Sequence, residues 1–276
     1  MRAQFLDAPA SARQGGRPFV VLRPPRRSGG PTVLVAPPFA EEMNKSRRMI
    51  AEVGRRLEGS GVGMLLVDLF GTGDSEGEFA QADWQRWRAD LAAAVQWSTA
   101  EGAPIRGMLA IRLGCILGSE ALAGIGQGVR RTVLWQPVTS GRRFLEQFLR
   151  LRVAASMMGG DSKETVAALR ARLKSGELLE VAGYEISGAL ADQLDAAELQ
   201  RFLGAHLGAV HWMEAVRSAD AELPVPSVKA IEAARAAGIE TTSHAIAGEP
   251  FWSATEIVCL DAMVARTADV LAGIDG

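Results

Sequence analysis

Excess positive charge, cysteine, histidine and long apolar runs are all scarce in this chain of 276 residues, and each scarcity removes a class of function. With 30 Lys and Arg against 32 Asp and Glu, the formal net charge is -2, so the strong positive field that non-specific nucleic-acid binding needs is missing. Two cysteines, Cys115 and Cys259, are too few for a disulfide framework or a thiolate metal cluster. Of the three histidines, His206 and His211 stand five apart, a poor spacing for two ligands on one helical face, and neither a metal nor another cofactor is expected. No stretch approaches the roughly 18 apolar residues of a spanning helix, because GMLAIRLGCILG is broken by Arg112. The opening MRAQFLDAPASARQGG has no apolar centre of signal-peptide length. The expectation is a cytoplasmic protein without a transmembrane segment.

What the chain does have is core-forming material: 48% hydrophobic and 22% charged residues. The first half alternates strand and helix patterns. A β-rich opening at about 3–7 and 17–23 leads to the apolar run 32–36, ended by Pro37 and Pro38. Met49, Ile50, Val53 and Leu57 then recur at helical spacing within 43–58. Strand 63–70 closes in GTGDSEG, and helix 81–100 carries Trp84, Trp87, Leu91 and Val95 on one stripe. Strand 107–111 runs into helix 113–124, and strand 131–137 follows. Such alternation predicts a doubly wound, mostly parallel sheet covered on both sides.

Residues 139–204 break that rhythm. Asp161 and Glu164 look like an N-cap pair, Val166, Leu169 and Leu173 form a stripe, Gly176 marks a stop, and a further helix spans about 188–203. This block reads as a helical cap inserted into a core made of 1–138 and 205–276. The rhythm resumes with strand 209–216, helix 227–236 and strand 239–247. A last helix opens with Ser253 and Glu256 as a capping box, and its face holds Ile257, Leu260, Val264 and Leu271.

In open parallel sheets ligands meet the loops beyond the carboxyl ends of the strands. The loop after strand 32–36 offers the backbone N–H of Phe39 or Ala40 as one oxyanion donor, since proline cannot donate; Glu41, Glu42 and Asn44 either line the site or cap the next helix. The loop Asp68–Gly77 reads mainly as a turn, with Asp74 and Ser75 at the pocket edge. The sharp strand–helix bend Ala110-Ile111-Arg112-Leu113-Gly114 stands where a nucleophile elbow would place serine. Its centre is arginine, which cannot attack but can clamp a carboxylate or phosphate, or pair with Glu41, Glu42 or Asp74. Cys115 reads as a small buried residue rather than a thiolate. Asp220 follows strand 209–216, where a triad acid belongs, while Gly248-Glu249-Pro250-Phe251-Trp252 occupies the loop expected to hold the histidine; His244 falls earlier, inside the strand. The basic, amphipathic 141–152 segment reads as a cap helix with solvated arginines.

The segments VAPPFAEEMNKSRRM, LVDLFGTGDSEGEF, IRLG, QPVTSGRRFLEQFLRLRVAASM, EVAGYEISGAL and GEPFW, in this order, resemble the exosortase A system-associated hydrolase 2 family of the α/β-hydrolase superfamily. The resemblance implies an α/β-hydrolase sheet with a cap, in a cytoplasmic accessory protein encoded with exopolysaccharide and PEP-CTERM sorting systems, with Arg112 at the nucleophile's place and Leu113 giving the second oxyanion N–H. Two functions follow as expectations. One is hydrolysis or acyl transfer on a saccharide ester or lipid-linked sugar, with water activated by Glu41 or Glu42. The other is a non-catalytic protein holding an anionic ligand against Arg112. The partner is then a small-molecule, saccharide or lipid-linked ligand, and a homodimer is compatible with either.

Overall fold

The computed structural model describes every residue except 8–14, 127, 160–163, 219 and 276. Among the described residues the main sheet has eight strands: β1 (Arg2–Phe5), β2 (Phe19–Arg23), β3 (Thr32–Ala36), β4 (Gly63–Asp68), β5 (Ile105–Ile111), β6 (Arg131–Trp135), β9 (Ala209–Val216) and β10 (Thr241–Ala247). Their spatial order is β1-β2-β4-β3-β5-β6-β9-β10. The β1–β2 and β2–β4 pairs are antiparallel, and all other pairs are parallel.

The central strands are apolar throughout because both faces are covered. Leu34, Met108, Ala110 and Leu134 pack into one core, and their neighbours Val33, Val35, Leu109, Ile111, Val133 and Trp135 pack into the other. Helices α1 (Glu42–Gly59) and α8 (Asp261–Ala272) cover the second face. The first is covered by α2 (Trp84–Ala100), α3 (Gly114–Ile125) and α7 (Val225–Ala236). Met49, Ile50, Val53 and Leu57 of α1 are all buried, as their spacing predicts. Chain order reverses between β3 and β5: the connection after β3 runs out to β4, and the next strand returns to β3's other side. The loops after β3 and β5 therefore diverge and leave a crevice between them.

Between β6 and β9 lie α4 (Gly141–Gly159), α5 (Val166–Lys174), the hairpin of β7 (Leu179–Val181) and β8 (Tyr184–Ile186), and α6 (Gly188–Ala196). None joins the main sheet. The expected N-cap Asp161 lies outside the described residues. Thr165 caps α5 by accepting from Ala168 N, while Glu164 pairs with Arg152 and Arg172. Gly176, at φ 88°, ends the segment as expected. The helix expected over 188–203 stops at Ala196 and resumes as a short 3-10 turn at Leu199–Phe202.

Two further boundaries differ. Strand 131–137 ends at Trp135, because Gln136 turns away at φ 43°. The final helix begins at Asp261, not at the Ser253–Glu256 capping pattern, and Ile257 is exposed instead of sharing its face. Residues 250–253 form a turn instead: Ser253 N donates to Pro250 O, and Phe251 is buried edge-on against Trp135, 5.8 Å between centroids. That burial outweighs a good local helix signal and sets the position of Trp252.

Candidate functional site

The bend at Arg112 is held by main-chain bonds before any side chain is considered. Its N–H donates to Trp135 O at 2.9 Å, and its carbonyl accepts from Cys115 N and Val138 N. Arg112 adopts φ 55°, a left-handed conformation that costs an L-residue about 1–2 kcal/mol. Gly114 is required two residues later, since a Cβ there would lie 2.4 Å from both Ala36 O and Pro37 O. This close approach sets the start of α3 against the end of β3.

The Arg112 side chain is nearly buried and well partnered. Nε donates to Glu42 Oε1 at 3.1 Å, Nη1 donates to Gln136 O at 3.3 Å, and Cζ lies 4.6 Å from the centroid of the Trp252 ring. Of the three expected ion-pair partners, Glu42 is the one that meets it, because the first turn of α1 faces the bend. Burial pushes the Glu42 carboxyl above its usual range, and Arg112 opposes that shift. Glu42 Oε2 is buried without a hydrogen-bond partner.

Two cavities border this cluster, and a third meets Phe39 and Leu113 beside it. One, of about 240 Å³, lies under α4 and is lined by Phe39, Glu41, Glu42, Arg112, Gln147, Phe148 and Trp252. A second, of about 170 Å³, shares Arg112, Phe144 and Gln147 with the first and adds Gln136, Ser140, Arg143 and Glu214. The third, of about 220 Å³, shares Phe39 with the first and is lined by Asn44, Arg47, Asp68, Trp84, Trp87, Leu113 and Tyr184 among others. The N–H groups of Phe39 and Leu113, the expected oxyanion donors, have no acceptor among the described residues.

An acid does stand at the end of β9, but it is Glu214. It is 1% exposed, accepts from Gln136 Nε2 at 2.9 Å and from Trp212 Nε1 at 2.8 Å, and so ties β6 to β9. Gln136 in turn accepts from Ala215 N. Sequence reasoning passed over both residues; the signal was an acid in mid-strand among apolar neighbours, in HWMEAV. Asp220, expected in this role, is exposed on the following loop and lines none of the three cavities. Ser75 is likewise no pocket residue: it donates to Asp68 O and accepts from Phe19 N at 2.7 Å, stitching β2 to the end of β4. Asp74 points its backbone N–H at Asp68 and is exposed.

No imidazole reaches the bend. His206 contacts Ser119 O, and His211 and His244 face each other across β9 and β10. β10 lies three strands from β5, roughly 14 Å at the usual interstrand spacing. Cys115 is buried, donates to Ala110 O at 3.3 Å, and its thiol is pushed well above its ordinary range by burial. Among the described residues no group of three or more His, Cys, Asp or Glu side chains could hold a metal ion, and no helix is long and apolar enough to cross a membrane.

Residues 18–142, a little under half of the chain, match the X-Pro dipeptidyl-peptidase (S15) family. No curated protein sequence matches the chain. Among solved structures, Est1E from Butyrivibrio proteoclasticus with bound ferulic acid is similar over 97% of each chain, at a TM-score of 0.72 and 15% identity. Mouse alpha/beta hydrolase domain-containing protein 10 is similar over 99% of this chain and 96% of its own, at 0.59 and 12%. A lipase/esterase from Lactobacillus plantarum is similar over 91% and 94%, at 0.55 and 12%.

Proposed function

We propose a function for this α/β-hydrolase fold on the chemistry of its bend. We propose that this chain is an exosortase A system-associated hydrolase 2 relative that binds, and does not hydrolyse, a glycosyl phosphate or similar anionic intermediate of exopolysaccharide assembly. The observation that carries the reading is the elbow itself. A cation, already paired with Glu42 and stacked on Trp252, occupies the bend, and all three histidines are engaged elsewhere. Serine hydrolysis requires a base to take the nucleophile's proton, and neither group is present there.

The two cavities that share Arg112, Phe144 and Gln147 supply complementary chemistry. Arg112 and the exposed Arg143, which has no ion-pair partner among the described residues, both line the smaller one, beside the polar Gln136 and Ser140, and suit a phosphate. The larger one offers Glu41, the unpartnered Glu42 Oε2 and Gln147 as acceptors for sugar hydroxyls. Glucose 1-phosphate is expected to bind in calorimetry, with about tenfold loss in Arg143→Gln, one good charge-assisted contact. A serine-reactive fluorophosphonate is expected to label neither the wild type nor Arg112→Ser, which still lacks a base. Stoichiometric labelling, or binding of glucose equal to that of its phosphate, overturns the reading.

A second reading rests on Glu42. A buried carboxyl with a raised pKa facing a cavity can act as a general base toward water. It requires ester turnover above that of an Arg112→Ala, Glu41→Gln double mutant, and turnover that Glu42→Gln abolishes.

A further inference from the structure

The third cavity belongs to neither the Arg112 cluster nor the phosphate reading, and its lining is of a different kind. Its deep wall is apolar: Phe39, Val67, Trp84, Trp87, Leu113 and Leu117. Both indole N–H groups are satisfied away from it, Trp84 Nε1 by Glu120 at 2.7 Å and Trp87 Nε1 by Phe70 O at 3.0 Å. The rings therefore present only hydrocarbon and π surface to whatever enters.

The mouth is the reverse. Asn44 and Arg47 project from α1, and Tyr184, the chain's one tyrosine, reaches over from the cap hairpin. The Tyr184 ring is propped edge-on against Phe79, 5.0 Å between centroids, and among the described residues neither its hydroxyl nor the Asn44 amide has a hydrogen-bond partner. Arg47 is 44% exposed and has only a loose contact, 3.7 Å to Asp68 Oδ1. Asp68 is the sole acid in the lining, and its other oxygen is taken by Asp74 N at 2.9 Å. A mouth whose unused groups can all donate, with one weakly held cation, is complementary to an anionic acceptor.

We infer that this cavity is a second binding site, for an amphipathic carboxylic acid whose apolar body lies between Trp84, Trp87 and Leu117 and whose carboxylate meets Arg47, Asn44 and Tyr184. Burial holds the Asp68 carboxyl above its ordinary range, with the Asp74 N–H and Arg47 opposing that shift, and at 3.7 Å the Arg47 guanidinium stands beyond hydrogen-bond distance of it. The apolar slot accepts an aromatic ring or a short alkyl chain, and the experiment separates them.

Calorimetric titration of the full chain with 3-phenylpropionate and with octanoate is the test, with 3-phenylpropionamide as the uncharged control. One of the two acids is expected to bind at least tenfold more tightly than the amide. Arg47→Gln, a change at an exposed side chain that leaves the fold intact, lowers that affinity about tenfold, and Tyr184→Phe lowers it severalfold. Arg142→Gln, at an exposed arginine outside all three cavities, leaves it unchanged and so separates contact from general charge attraction. Glucose 1-phosphate does not compete, so the outcome is independent of the phosphate reading. Equal binding of acid and amide, no loss in Arg47→Gln, or no binding of either acid up to millimolar concentration overturns the inference.

Discussion

Replacing Arg112 by methionine isolates what the guanidinium does for Glu42. Methionine keeps a β-carbon, so the strain at φ 55° is unchanged, and its thioether can still rest on Trp252. What is lost is the charge opposite a carboxylate that is 14% exposed and already has one oxygen without a partner. That carboxylate has an escape: it can take a proton. Relative to its ordinary value of 4.5, protonation costs about 1.36 kcal/mol per pH unit, hence about 3.4 kcal/mol at pH 7 and about 0.7 kcal/mol at pH 5. These figures cap the electrostatic loss. In the wild type burial already raises the Glu42 pKa, so its favourable contribution is present at low pH and fades as pH rises through the folded value. Removing Arg112 raises that value further and steepens the same slope. Urea unfolding followed by far-ultraviolet circular dichroism is therefore expected to show Arg112→Met destabilised by about 2–3 kcal/mol at pH 7 and by under about 1 kcal/mol at pH 5. Arg112→Met with Glu42→Met, an apolar pair, returns to within about 1 kcal/mol of wild type at both. A loss that is the same at both pH values, or that the second change fails to rescue, would show that the pair is not what the guanidinium supports.

Two other expectations test the frame around the site. Gly114→Ala drives a methyl into two main-chain carbonyls that cannot move independently, and is expected to cost about 3 kcal/mol or more; Gly124→Ala, on the same helix with only the Arg88 side chain at 3.3 Å, gains about 0.5–1 kcal/mol from helix propensity. Thermal unfolding of the two variants should move in opposite directions, and similar behaviour refutes the close approach. At the far edge, burial depresses the pKa of both His211 and His244, with Arg131, Arg266 and Glu240 nearby, so their contribution is present above the ordinary value of 6.5 and is lost as pH falls. His244→Gln should flatten the fall in melting temperature between about pH 6.5 and 5, and an unchanged slope refutes the coupling.

The sheet and its helices were legible because burial on two faces and on one face leave different periods. Val33 to Val35 read as a strand since every side chain goes into one core or the other, and Met49, Ile50, Val53 and Leu57 read as a helix since only one stripe does. The bend at Arg112 was legible for the same reason, as the point where one period gives way to the other. Its surroundings were not. Choosing Glu42 over Glu41 as the partner depends on which way the first turn of α1 faces, a tertiary fact with no trace in the local pattern. Ser253 and Glu256 form a sound capping signal that loses to the burial of Phe251 against Trp135. Asp74 and Ser75 resembled site residues because the groups that occupy them, Asp68 and Phe19 N, lie close in space and one of them far away in sequence.

Arginine at the bend also separates architecture from chemistry. A left-handed non-glycine residue persists only where its surroundings impose it. Here they are the Trp135 carbonyl that receives its N–H, the Val138 and Cys115 amides that meet its carbonyl, and the contact of Gly114 with Ala36 and Pro37. None of these involves the side chain at 112. The sheet and α3 therefore impose the bend whatever residue occupies it, and the side chain is free to change without loss of the fold. The cation carried here acts only above the sheet, where Glu42, Gln136 and Trp252 surround the guanidinium. The geometry of the bend thus belongs to the fold, and the neighbours of Arg112 decide what its side chain can do.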